Sequence, residues 1–181
     1  MNSIVLTGGT SKRFGSDKSA ALINGRTLLE ILTEGLEDLI IVGPKTPIKA
    51  RYVREEPIGA GPVAAIAAGV QAVNSELVAI FATDMPFASK IISELEVALI
   101  NDAAIPVDKD GYAQPFAALY KVDALRRALD SFESLENRSM RDLIAKLNID
   151  LIPVVESEAL LDIDTKEDLI RAIDLASRLA P

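Results

Sequence analysis

The chain has no cysteine and no histidine among its 181 residues. Without cysteine there is no thiolate nucleophile, disulfide framework, iron–sulfur cluster or sulfur-ligated zinc; without histidine there is no imidazole base and no ordinary zinc site. Chemistry is left to carboxylates, Lys, Arg, hydroxyls, backbone amides or an oxygen-ligated metal. Long apolar runs are also missing. The start, MNSIVLTGG, has no basic stretch and too few apolar residues for a signal peptide or a membrane span, so a cytoplasmic protein with no membrane partner is expected. Positive charge is scarce: 19 basic against 27 acidic side chains leave a net charge of −8, which argues against nucleic acid as the main partner. A small phosphorylated ligand needs only a local positive site.

Apolar residues make up 49% of the chain and charged ones 25%, an ordinary globular balance. The length suits one domain over residues 1–181, and a chain of about 150 residues already buries roughly 70% of its unfolded surface. Short β-branched runs alternate with helical patterns throughout, and no linker, repeat or low-complexity segment interrupts them. That alternation predicts an α/β fold with a mainly parallel sheet. Strands are expected at 3–7, 39–42, 77–82, 103–107, 116–120 and 150–155, and helices at 27–37, 62–73, 89–100, 122–132, 139–147 and 165–179. Three helices open with capping-box pairs: Thr27 with Glu30, Ser139 with Asp142, and Thr165 with Asp168.

The densest chemical signal is the segment after the first strand, Leu6-Thr7-Gly8-Gly9-Thr10-Ser11-Lys12-Arg13-Phe14-Gly15-Ser16-Asp17-Lys18. Paired glycines let backbone amides turn inward, small hydroxyl residues add donors, and Arg13 and Lys18 neutralise phosphate charge. Residues 8–26 carry a local charge of +3. The Walker A spacing fails because Asp17, not glycine, precedes Lys18-Ser19, and the dinucleotide Gly-x-Gly-x-x-Gly pattern fails because Gly8 and Gly9 are adjacent. The other reading is a surface turn with solvated charges; the residue types favour the phosphate cradle.

Thr83-Asp84-Met85-Pro86 follows an apolar strand, and ligands in open α/β sheets bind beyond the carboxyl ends of strands. Asp84 there suits either a Mg²⁺ ligand or a turn that caps the next helix, and this segment alone leaves both open. Glu55 to Pro62 places Gly59 and Gly61 where a flat ligand would approach and Glu55 where it would accept from a base edge, although an ordinary loop before a helix explains the segment equally well and is favoured. Asp162-Ile163-Asp164-Thr165 lies in a stretch, 156–168, with a net charge of −5. A second metal carboxylate there competes with helix capping, which is favoured. Gln114, Arg138 and Arg141 are weaker candidates for a second anionic group, since surface arginines are usually solvated.

In their order along the chain, these segments resemble the molybdenum cofactor guanylyltransferases, the MobA-like nucleotidyltransferases that make molybdopterin guanine dinucleotide. The signature Leu-x-Gly-Gly-x-Ser-x-Arg-hydrophobic-Gly-x-Asp-Lys spans Leu6 to Lys18. It is followed by the Gly-Pro helix opening, Asp-x-Pro, Pro-Phe-Ala-Ala-Leu-Tyr, Ser-x-Arg-Asp-Leu and Asp-x-Asp-Thr-x-Glu-Asp-Leu. The resemblance implies a three-layer, Rossmann-like nucleotide-diphospho-sugar transferase fold with a late antiparallel strand. It implies GTP and molybdopterin as substrates, Mg²⁺ as cofactor, and transient contact with molybdoenzyme maturation proteins.

Carried over by position, Leu6, Thr7, Gly8 and Lys18 bind GTP, and Asp84 binds both GTP and the metal. The expected nucleotide site extends to Gly9, Thr10, Ser11, Glu55 and Gly61, with Arg13, Lys18 and Asp84 catalytic. Gly8-Gly9 points to guanine, because the CTP-using relatives have Ala-Gly there. Glu55 stands where many relatives have Asp, and Asp162 and Asp164 replace the Asn of some members. The implied reaction is attack of the molybdopterin phosphate on the α-phosphate of Mg-GTP with loss of pyrophosphate. It needs no enzyme nucleophile and no general base, which fits a chain without His or Cys. The competing readings are transfer from CTP or to another phosphorylated acceptor, and a non-catalytic GTP-binding maturation partner.

Overall fold

The computed structural model describes residues 1–7, 21–155 and 157–179, with the side chains of Ser157 and Leu179 left aside. Its centre is a seven-stranded sheet: β1 (Asn2–Leu6), β4 (Leu39–Val42), β5 (Arg51–Val53), β6 (Leu77–Ala82), β7 (Ala103–Val107), β8 (Ala117–Lys121) and β9 (Ile149–Pro153). A two-residue hairpin, β2 (Leu22–Ile23) and β3 (Arg26–Thr27), stands apart. The helices are α1 (Leu28–Leu32), α2 (Pro62–Val70), α3 (Ile92–Ala98), α4 (Val122–Asp130), α5 (Met140–Ile144) and α6 (Lys166–Leu179).

Strand order is β5-β4-β1-β6-β8-β7-β9. β1 pairs in parallel with β4 and β6, β4 with β5, and β7 with β9, whereas β8 runs antiparallel between β6 and β7. The mainly parallel sheet is as the alternation of strands and helices predicts, and the late antiparallel strand is as the family resemblance implies. The carboxyl ends of β1, β4 and β6 therefore lie side by side, with Leu6 in register with both Val42 and Ala82.

Period-two alternation divides the core between the two faces. Val5, Ile41, Ala79, Phe81 and Leu119 face one layer, where Leu28, Leu32, Leu95, Ala172 and Leu175 bring α1, α3 and α6. Ile4, Ile40, Val78, Ile80 and Tyr120 face the other, covered by Val63, Ile66, Leu125, Leu129 and Leu143 of α2, α4 and α5. Three layers result. Tyr120 is fully buried, which pushes its phenol pKa up, and its hydroxyl donates to the Pro115 carbonyl at 2.7 Å.

All three capping boxes form, with Thr27, Ser139 and Thr165 exchanging hydrogen bonds with Glu30, Asp142 and Asp168. Several elements are shorter than their hydrophobic patterns suggest. α1 stops at Leu32 and the chain turns through Gly35 at φ +76°, a conformation glycine adopts without strain. The segment expected as one helix from 89 begins as a 3₁₀ turn, Ala88–Ile91, before α3. The β2–β3 hairpin and the three-residue β5 lie outside the expected strands. The hairpin had a signal, since Asn24 and Gly25 both take positive φ, as a two-residue type I′ turn requires. Among the described residues no helix is long and apolar enough to cross a membrane.

Candidate active site

At the carboxyl edge of the sheet the regular ladder continues one residue further. Gly43 N–H donates to the Val53 carbonyl at 3.0 Å, Thr7 N–H to Val42 at 3.1 Å, and Thr83 N–H to Leu6 at 3.3 Å. Thr83 leads straight into Asp84, so this carboxylate stands beside the end of β1, where the Gly8–Lys18 segment begins. That is where the sequence places it. The half-buried Asp84 is joined by residues from the far end of the chain: Ile163 N–H donates to the Asp84 carbonyl at 3.0 Å, and the Ile163 side chain is fully buried. The residues flanking this anchor, Asp162 and Asp164, bring their carboxylates to Asp84, and one oxygen from each of the three lies within 4.8 Å of the others.

The favoured capping reading of 162–165 is therefore only partly right. Capping of α6 falls to Thr165 and Asp168, whose carboxylate accepts from Thr165 N–H at 3.0 Å, Thr165 Oγ1 at 2.7 Å and Asp164 N–H at 3.3 Å. The carboxylates of Asp162 and Asp164 are directed to the Asp84 group instead. The alternation of two acids around an apolar residue was the signal for this; which partner they meet is decided by the loop's return to β6.

The remaining expected residues of the described chain are engaged within the protein. Leu6 lends its carbonyl to Thr83. The Thr7 hydroxyl donates to Val42 at 3.1 Å, so it is committed internally. Glu55 braces its own loop, with Oε1 accepting from Gly59 N–H at 3.0 Å. Gly61, at φ +100°, opens α2, and its close neighbour is Asn137, whose N–H donates to the Ala60 carbonyl at 2.7 Å. Gly8, Gly9, Thr10, Ser11, Arg13 and Lys18 lie outside the described residues.

The candidates for a second anionic group have internal roles. Gln114 Nε2 donates to Asp108 at 2.8 Å, and Arg138 Nε donates to the Ser134 carbonyl while its guanidinium lies 5.5 Å from the centre of the Phe132 ring. Arg141 is exposed in the first turn of α5. Two surface grooves run against α4 and α5, lined by residues such as Arg127, Phe132 and Lys146; neither includes the three carboxylates.

Comparison with known proteins adds a family and a fold. Residues 3–151 match the model of the MobA-like NTP transferase domain. A probable molybdenum cofactor guanylyltransferase of Mycobacterium avium is 33% identical, the alignment covering 92% of this chain and 91% of that protein. One from Bacillus cereus is 28% identical over 93% of this chain and 94% of its own. Among solved structures, the molybdopterin-guanine dinucleotide biosynthesis protein A of Archaeoglobus fulgidus superposes with a TM-score of 0.78 at 23% identity, covering 98% of this chain and all of that one. The 2-C-methyl-D-erythritol 4-phosphate cytidylyltransferase of Thermus thermophilus shares the fold at a TM-score of 0.67 and 19% identity, covering 98% of this chain and 100% of its own.

Proposed function

The chain belongs to the MobA-like NTP transferase family, and from that premise we propose that it is a molybdenum cofactor guanylyltransferase, moving GMP from GTP to molybdopterin. A terminal phosphate oxygen of molybdopterin attacks the α-phosphorus of GTP, the bond to the β-phosphate oxygen breaks, and pyrophosphate leaves. Both reacting groups are already ionised, so no residue has to remove a proton. The observation that carries this reading is the meeting of Asp84, Asp162 and Asp164 at the strand end that leads into the Gly8–Lys18 segment.

Three carboxylate oxygens within 4.8 Å make a hard, anionic donor set of the kind that holds Mg²⁺ together with substrate phosphates. Asp84 would be the principal ligand, with Asp162 and Asp164 beside it; when bound, the ion supplies charge neutralisation on the triphosphate. The chain's own part is to bind and to orient. Backbone amides of Gly8 and Gly9 and the hydroxyls of Thr10 and Ser11 are assigned to the phosphates and Arg13 and Lys18 to their charge, while Leu6 and Thr7, tied to Thr83 and Val42, hold the strand end beside the nucleoside. Glu55 and Gly61 are assigned to the nucleotide from the loop that opens α2, where Glu55 Oε1 accepts from Gly59 N–H. Holding attacking and leaving groups in line is the larger share of catalysis in such a displacement.

In this reading residues 1–181 are one nucleotidyltransferase domain, supported by a seven-stranded sheet whose strands run from Asn2 to Pro153, and the protein works in the cytoplasm. Contact with molybdoenzyme maturation proteins rests on the resemblance alone, and no surface of the chain is assigned to it. Incubation with Mg-GTP and molybdopterin should release pyrophosphate and yield molybdopterin guanine dinucleotide. Turnover with CTP in preference to GTP would replace the guanylyl reading by a cytidylyl one, and GTP binding with no turnover would leave a non-catalytic binder.

A further inference from the structure

Two carbonyls at the carboxyl edge are each held twice by one threonine. The Val42 oxygen accepts from both the N–H and the hydroxyl of Thr7, at 3.1 Å each. The Leu6 oxygen accepts from both the N–H and the hydroxyl of Thr83, at 3.3 and 2.9 Å. Both threonines stand one residue past the end of their strand, and each clamps the last carbonyl of the strand beside it. The N–H bonds alone continue the ladder. The added hydroxyl bonds fix the χ1 of side chains that are already stiff through β-branching, and they commit both hydroxyl protons to the main chain.

A third residue belongs to the arrangement. Gly43, at φ +146°, lies against Thr7 so closely that a Cβ there would overlap Thr7 Oγ1. The space a side chain would take at 43 is occupied by the Thr7 hydroxyl. Each clamp is joined directly to a residue assigned to the chemistry: Gly8 comes after Thr7, and Asp84 after Thr83.

We propose that Thr83 and Thr7 are paired positioning residues, with Gly43 making room for the second, and that they set the spacing between the metal carboxylate Asp84 and the start of the phosphate-binding segment. The inference rests on the guanylyltransferase reading. In this arrangement Thr83 governs the metal side and Thr7 the nucleotide side, because Leu6 and Thr7 belong to the chain entering the glycines while Thr83 carries Asp84.

The test uses the full chain with Thr83→Val, which keeps the shape and removes the hydroxyl, and Thr83→Ser, which keeps the hydroxyl. Thr83→Val should lower kcat with Mg-GTP and molybdopterin about tenfold, the scale of one lost hydrogen bond expressed in the transition state. It should also raise the Mg²⁺ concentration for half-maximal rate and weaken Mn²⁺ binding in the presence of GTP, read by electron paramagnetic resonance, by a similar factor. Thr83→Ser should return both to within about twofold. Thr7→Val should act instead on the KM for GTP.

Gly43→Ala should raise that KM as well, and Thr7→Ala in the same chain should recover part of the loss. A Thr83→Val protein with a lower unfolding midpoint but unchanged Mn²⁺ affinity and unchanged kinetics overturns the proposal, as does a Gly43→Ala defect that Thr7→Ala deepens. If the wild-type chain releases no pyrophosphate, the functional reading fails; the Mn²⁺ measurements still decide the clamp.

Discussion

Two groups of carboxylates in this protein are built in opposite ways. Glu30, Asp142, Asp168 and Asp108 each accept hydrogen bonds from donors within six residues of themselves: the cap residues Thr27, Ser139 and Thr165, and for Asp108 the amides of Asp110, Tyr112 and Gln114. Asp84, Asp162 and Asp164 come from segments nearly eighty positions apart and place three like charges within 4.8 Å. The first arrangement uses an acid to finish a helix or a turn. The second gathers negative charge at one point against its own repulsion, which is favourable only where a cation or cationic groups share the site. An acid with local donors therefore reads as structural, and acids that converge from afar read as a site.

The sharpest attempt to break this contrast is Asp84→Ala. It should lower kcat by at least about a thousandfold in a pyrophosphate-release assay. Activity within threefold of wild type would remove Asp84 from the metal role.

Lys18 tests the other pole. Lys18→Ala should weaken GTP binding roughly a hundredfold by calorimetry, the scale of a charge-assisted phosphate contact, whereas Lys146→Ala, on the exposed face of the α4–α5 groove, should change it less than twofold. Equal losses would return the glycine segment to a solvated turn. Asp162→Asn and Asp164→Asn should each raise the Mg²⁺ requirement by about tenfold with GTP affinity in the absence of metal preserved.

The structural acids should behave in the reverse sense. Ser139→Ala should cost about 1 kcal/mol in urea unfolding and leave turnover intact. The smallest effect is on pH dependence. Hydrogen bonds from Ser139 hold the Asp142 carboxyl below its ordinary range, and the Thr27 backbone and hydroxyl do the same for Glu30. For Asp108, burial pushes the carboxyl up, but the bonds from Tyr112, Gln114 and Asp110 outweigh it and the net direction is down. A carboxyl that is more acidic folded than unfolded adds stability above the unfolded carboxylate range and loses it as pH falls through the folded value. Urea midpoints should therefore drop on acidification from about pH 5 downward, and Asp142→Asn should flatten that slope slightly.

The caps illustrate how much is legible in the sequence. Thr27, Ser139 and Thr165 with their partners are readable because a capping box is satisfied within four residues, and so is Asp84, because it follows an apolar strand. Helix ends are less readable: the apolar period runs on past Leu32 and Val70 although the backbone turns there. Asp162 and Asp164 stand out as acids, but their spacing reads mainly as capping, since a dipole explanation is sufficient until the loop's return to β6 is known. Glu55 and Gly61 suggest ligand contacts, yet their nearest partners are Gly59 and Asn137, contacts that nothing in the local pattern announces.

The sequence by itself determined the alternation of strands and helices, the glycine-rich basic segment after β1, and a chemistry without thiolate nucleophile or imidazole base. Those come from residue types and short spacings, which act locally. Only the tertiary structure decided that Asp162 and Asp164 stand with Asp84, that β8 inserts antiparallel between β6 and β7, and that Thr7, Thr83 and Gly43 lock the edge together. Each of these depends on contacts between residues tens of positions apart, and such contacts are set by packing the whole sheet rather than by any window of the chain.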